Sequence, residues 1–232
     1  MLKKNKFLEH RFYTKTKKEQ NRIQVYVALI TLIILFLFVL LFGLLKLYLL
    51  IFIVIPIIIS VVAPFFDVPS MKKTGKIVYL SSLLLVEEPK NGIMKIHGGT
   101  LFDYFFVIDS ELKGRQRINF ILSKFLQGLL KLIEEKKNSN EDELIIRGTS
   151  YIINERTARN IGFKIIETDN LQKFILIFNY VNILVSQSFA RGKLSFPRLS
   201  NIKTFEIKVS ELIEKEGLIK KLSERLANSA NR

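Results

Sequence analysis

IQVYVALITLIILFLFVLLFGLLKLYLLIFIVIPIIISVVAPFF, residues 23–66, runs for 44 residues with a single formal charge, Lys46. One helix over that length would measure about 66 Å, about twice the hydrocarbon thickness of a bilayer. Half of its apolar surface would then stand in water, so the run is expected to break. Gly43-Leu44-Leu45-Lys46 is the place, because glycine is a poor helix former and the lysine ammonium seeks water. The break leaves residues 23–42 and 47–66, about 20 residues each, the length of one crossing. The expectation is a transmembrane helical hairpin. A core helix is rarely apolar all round over such a length, and the apolar core of a signal peptide is much shorter.

The flanks give an orientation. Residues 1–22 carry eight Lys or Arg against two Glu, and Lys72, Lys73 and Lys76 follow the second span. Basic flanks stay on the cytoplasmic side, so both termini are expected there, with the turn barely emerging opposite. Pro56 is expected to kink the second span. The aromatic and basic residues 7–13 read as a segment lying on headgroups or as a solvated tail that sets topology. The chain thus divides into a basic tail (1–22), the hairpin (23–66), a linker (67–75) containing Asp67-Val68-Pro69-Ser70, a cytoplasmic mixed α/β domain (76–209), and a C-terminal amphipathic helix (210–232).

A net charge of +15 favours an anionic partner. For a protein held at a membrane, that partner is the bilayer and its anionic headgroups, where each basic residue near the surface gains about 1 kcal/mol. A membrane protein partner fits as well. Nucleic acid ranks below both, because no RNA- or DNA-binding module signature is present. The absence of cysteine removes disulfides, thiolate nucleophiles and zinc knuckles from consideration. His10 and His97 lie on opposite sides of the hairpin, and no H-E-x-x-H or calcium loop occurs, so no metal site is expected.

The remaining chain reads as an α+β domain, a mixed sheet with helices. Residues 76–87 form a strand or two, Pro89-Lys90-Asn91-Gly92 a turn, and residues 93–97 the partner strand. Residues 102–108 read as a third, buried strand. Residues 118–136 are the clearest helix, with Ile118, Ile121, Leu122, Phe125, Leu129, Leu132 and Ile133 on one face. A strand (144–153), a short helix (154–161) and a short strand (163–167) follow. Residues 171–190 are apolar with a polar stripe of Asn179, Asn182 and Ser186. Arg191, Lys193 and Arg198 follow at once, so this segment is expected to pack on the sheet or lie against the bilayer rather than span it. Residues 194–209 read as irregular, and residues 210–226 as a charge-laced helix.

Several groups bear on chemistry. His97-Gly98-Gly99-Thr100 suits a general base or an anion nest, but reads first as a bulge or turn with an exposed imidazole. Arg147-Gly148-Thr149-Ser150 reads as a glycine bulge rather than a ligand loop. Asp103 and Asp109 lie near the expected third strand, and Asp103 between two aromatics suits a buried base. Residues 102–167 supply a strand, then Gly114-Arg115-Gln116-Arg117 opening a long helix, a strand, and Asn154-Glu155-Arg156-Thr157-Ala158-Arg159-Asn160-Ile161-Gly162-Phe163. In order and spacing this partly resembles the core of the GNAT N-acetyltransferase superfamily. The resemblance implies acetyl- or acyl-coenzyme A as cofactor, with Gly114, Arg115 and Arg117 at the pyrophosphate and Asn154 beside the pantetheine. It covers less than a third of the chain, and its loop has one glycine where the family has two or three.

Two readings follow. The first is a membrane-tethered interaction or accessory module without a cofactor. The alternative is a membrane-bound acyltransferase.

Overall fold

The computed structural model describes residues 10–139, 141–150, 153, 155–199 and 202–230. The first helix, α1 (Lys17–Leu44), starts at Thr16, whose side chain and backbone exchange hydrogen bonds with Glu19 in a capping box. It is the one helix, among the described residues, long and apolar enough by itself to cross a membrane. The chain reverses where the sequence marks it, with Lys46 in the left-handed region at φ 59°. Helix α2 (Tyr48–Val62) returns beside α1 and bends by 44° into α3 (Pro64–Lys73). Residues 67–70, read as linker, are helical and lie inside α3.

The bend has a chemical cause. Proline has no N–H, so the carbonyl four residues before it loses its helical partner. Ser60 stands four residues before Pro64, and Phe65 four before Pro69. Both carbonyls are recaptured by amide side chains: Asn182 Nδ2 donates to Ser60 at 2.5 Å, and Gln24 Nε2 to Phe65 at 3.1 Å. The second bond also shows that α1 and α2 run antiparallel, because the start of α1 meets the far end of the returning chain.

Six strands form one mixed sheet in the order β1 (Ile77–Ser81), β2 (Leu84–Glu87), β3 (Ile93–Gly98), β4 (Ile145–Ser150), β6 (Lys203–Lys208), β5 (Lys164–Ile166). The β3–β4 pair is parallel and the others are antiparallel. Asn91 and Gly92, at φ 51° and 72°, form the tight turn before β3 that their dipeptide predicts. Alternation along the strands divides the core. Leu84 and Val86 face α5 (Arg115–Lys136), while Leu85, Ile77 and Tyr79 face the other way. Helix α10 (Glu216–Ala230), preceded by the short α9 (Val209–Glu214), covers α5.

Three expectations change. Residues 102–108 are helical: α4 (Leu101–Val107) replaces the third strand, so the resemblance's opening strand is a helix here. The irregular tail contains β6, which pairs with both β4 and β5. The apolar segment 171–190 is two helices, α7 (Asn170–Phe178) and α8 (Tyr180–Arg191), bent by 71° at Asn179. Between β4 and β5 lies the short helix α6 (Glu155–Asn160).

Candidate functional site

The segment before α1 is not a loose tail. Arg11 donates from Nε to the Phe106 carbonyl at 2.9 Å and from Nη2 to those of Phe105 and Ile108 at 2.9 and 3.0 Å. A helix leaves its last carbonyls unpartnered, and here one planar guanidinium satisfies three at the end of α4. Phe12 is buried against Phe102 and Phe106. The headgroup-lying reading of residues 7–13 therefore fails for Phe12, and residues 7–9 lie outside the described residues.

His10 and Asp103 are both 0% exposed, with Nε2 and Oδ1 3.3 Å apart. The Tyr79 hydroxyl donates to the same Oδ1, and the Thr100 N–H and hydroxyl donate to Oδ2 at 2.7 and 2.8 Å. Asp103 thus serves as the third residue of a capping box and as an anchor for His10. Both its oxygens are engaged, which leaves none to act as the general base the sequence suggested. Lys72 lies with Nζ 3.3 Å from the Tyr13 ring centroid. Burial pulls its ammonium below the ordinary value, while Asp103 opposes that shift. Burial, with Asp103 adding to it, pushes the Tyr79 hydroxyl far above its ordinary 10.0. Burial raises the Tyr13 hydroxyl as well. These groups clasp both ends of the helical hairpin to the sheet.

Beside this clasp is a cleft of about 390 Å³, lined mostly by apolar side chains of α3, α5 and α8 and by the ends of β2, β3 and β4. Its size falls within the range of small-molecule sites, about 300–1,000 Å³. His97 Nε2 and Glu87 Oε1, 2.7 Å apart, both line it. A carboxylate holding an imidazole is half of a catalytic arrangement, but Glu87 is the sole hydrogen-bond partner of the His97 ring among the described residues. Thr149 Oγ1 pairs with Thr204 Oγ1 at 3.1 Å, and Ser150 Oγ accepts from the Ile153 N–H at 3.0 Å. Among the described residues the pair bonds to no hydroxyl, and it places polar groups on an apolar cleft. Gly148 lies against Ile96 of β3 without a bulge, since the β4–β6 register runs through it unbroken. Asp109 accepts from the Glu111 N–H in a polar turn.

Of the residues implied by the acyltransferase resemblance, Gly114 is the N-cap of α5 at φ 46° and Arg115 opens the helix. Arg117 turns back on its own chain, donating to the carbonyls of Leu112 at 2.6 Å and Phe189 at 2.9 Å. Asn154 lies outside the described residues. Among those residues no group of three His, Asp or Glu is arranged to hold a metal. Glu87 and Asn182 were not singled out as site residues. Glu87 is partnered by His97 across the β2–β3 pair (Leu85↔His97), a register visible only once the strands are aligned. No protein-family model, no curated protein and no solved structure matches this chain.

Proposed function

We propose that the protein is an integral membrane protein whose cytoplasmic α+β domain is an interaction or accessory module mounted rigidly on the bilayer surface, both termini being cytoplasmic. One observation carries this reading: both ends of the α1–α2 hairpin are built into the domain. Arg11 and Phe12 lock the entry to α1 onto α4, and Lys72 and Val68 lock the exit through α3 onto β1 and α4. A flexible tether lets a domain range over distant targets, whereas this mount presents one fixed face to the membrane. Helix α7 belongs to that face. Leu171, Phe174, Ile177 and Phe178 are exposed, and the α7–α8 bend lies next to the Asn182–Ser60 bond at the end of α2. Such a helix suits the plane of the interface. Residues of α3 and α8 line the cleft, which favours entry of an apolar ligand or partner segment from the bilayer side.

The experiment is extraction and labelling of the full chain. Carbonate should leave it in the membrane pellet. The protein has no cysteine, so single cysteines report without background. In intact cells an impermeant thiol reagent should label K46C and spare N138C. Release by carbonate, or labelling of N138C, overturns the reading.

A further inference from the structure

The end of α8 farther from the hairpin carries a second polar surface. Two adjoining clefts of about 290 and 440 Å³ share Gln187, Arg191 and Lys193. Arg115 lines the first and Arg198 the second, and no carboxylate lines either. None of these four cations has an ion-pair partner among the described residues. The start of α5 lies in the first cleft, without a side-chain cap, so its N–H groups add partial positive charge. Gln187, 6% exposed, lines both clefts.

The same stretch carries exposed apolar side chains. Leu194 is 70% and Phe196 65% exposed, and both line the second cleft with Arg191, Lys193 and Arg198. Cations interleaved with bare apolar side chains match a bilayer surface, where phosphates lie immediately above acyl chains. Position agrees. Gln187 and Arg191 stand five and nine residues beyond Asn182, the residue bonded to α2, so about 8–14 Å along the helix. Ring contacts from Phe65 to Phe105 and from Phe105 to Phe189 bridge the same interval.

We propose that this paired cleft binds the phosphate of an anionic phospholipid headgroup, with Leu194 and Phe196 entering the acyl layer beside it. The proposal rests on the membrane mount above and assigns that mount a lipid-selective contact. Arg115, Arg191, Lys193 and Arg198 surround the phosphate, and the Gln187 amide, which lines both clefts, adds a neutral donor. A soluble phosphate would use the same cations but gives no role to Leu194 and Phe196.

The test uses the full chain in nanodiscs. The protein has no tryptophan, so F196W introduces its sole indole, and F36W does the same in α1. Brominated acyl chains should quench both indoles, and F196W more strongly in phosphatidylglycerol than in phosphatidylcholine. Quenching of F36W without F196W leaves the mount standing and overturns the headgroup site. Absence of quenching in F36W removes the mount and the site together. In detergent, mass spectrometry of the intact protein should show phosphatidylglycerol retained about tenfold more weakly or worse by R191Q/K193Q. K220Q/K221Q, on α10, should match the unaltered chain, and equal retention by R191Q/K193Q overturns the proposal. Pyrophosphate is the final arm. Binding of it to lipid-free micelles that vanishes in R191Q/K193Q would assign the cleft to a soluble phosphate ligand and overturn the lipid assignment.

Discussion

Asn182 Nδ2 donates to the carbonyl of Ser60, the carbonyl that Pro64 leaves without its helical partner. A side chain from the α+β domain thereby completes the backbone of the apolar helix at its bend. The pair is half-buried, so an unpartnered carbonyl there carries part of its desolvation cost, about 1–3 kcal/mol in full. N182A should lower the melting temperature of the detergent-solubilised chain. N179A is the comparison, because Asn179 bonds to Ile175 on an exposed turn. Equal effects from the two would remove the special role of Asn182.

Arg11 makes a sharper case, because its fork reaches three carbonyls at once. R11A leaves the end of α4 uncapped and loosens the segment before α1, at a cost of about 2 kcal/mol. R11K keeps the charge but not the planar fork, so it should recover only part of that loss. Limited proteolysis should then cut before α1 in R11A and spare the unaltered chain. Resistance in R11A would mean that Phe12 alone holds the segment.

These two contacts also show what the sequence could reveal. The turn at Lys46, the Asn91-Gly92 turn and the amphipathic α5 follow from local rules of charge, φ and period. The capping box Thr100-Leu101-Phe102-Asp103 was equally legible: a hydroxyl residue, then a carboxylate three positions on, opening an apolar run. Residues 102–108 read as a strand by hydrophobicity alone because a short apolar run does not distinguish strand from helix. Strand β6 alternates Thr204, Phe205, Glu206, Ile207, a period-2 signal masked by the irregular residues before it. The clasp was not legible. His10 and Asp103 are 93 residues apart, and only the fold brings an apparently solvated tail under α4.

Glycines at two helical positions separate packing from propensity. A Cβ on Gly128 in α5 would stand 2.5 Å from the Leu84 Cβ, where α5 presses on β2. G128A should therefore destabilise by about 1–3 kcal/mol. Gly217 in α10 has open space around it, so G217A should stabilise by up to about 1 kcal/mol through helix propensity alone. Denaturant midpoints measure both. A stabilising G128A would mean that α5 stands farther from the sheet.

The clasp should also give the fold an alkaline limit. In the unfolded chain tyrosine ionises near pH 10 and lysine near 10.4. Burial raises the folded values of Tyr79 and Tyr13, so above pH 10 the folded state holds more protons than the unfolded one. Stability then falls as pH rises, while below pH 10 the tyrosine contribution is complete. Lys72 acts in the opposite sense. Its folded value is lowered, so from that value up to about 10.4 the unfolded chain binds the extra proton and stability rises with pH. Melting temperature should accordingly climb gently toward pH 10 and drop beyond it. K72Q should lose the climb. Y13F should keep the climb and soften the drop, since one of the two resisting hydroxyls is gone. Y79F also deprives the buried Asp103 of a donor, so it should lie lower at every pH, by about 1–3 kcal/mol. If Y13F and the unaltered chain trace the same curve from pH 8 to 11, Tyr13 is not buried in the clasp, and the segment before α1 is not held as the structure has it.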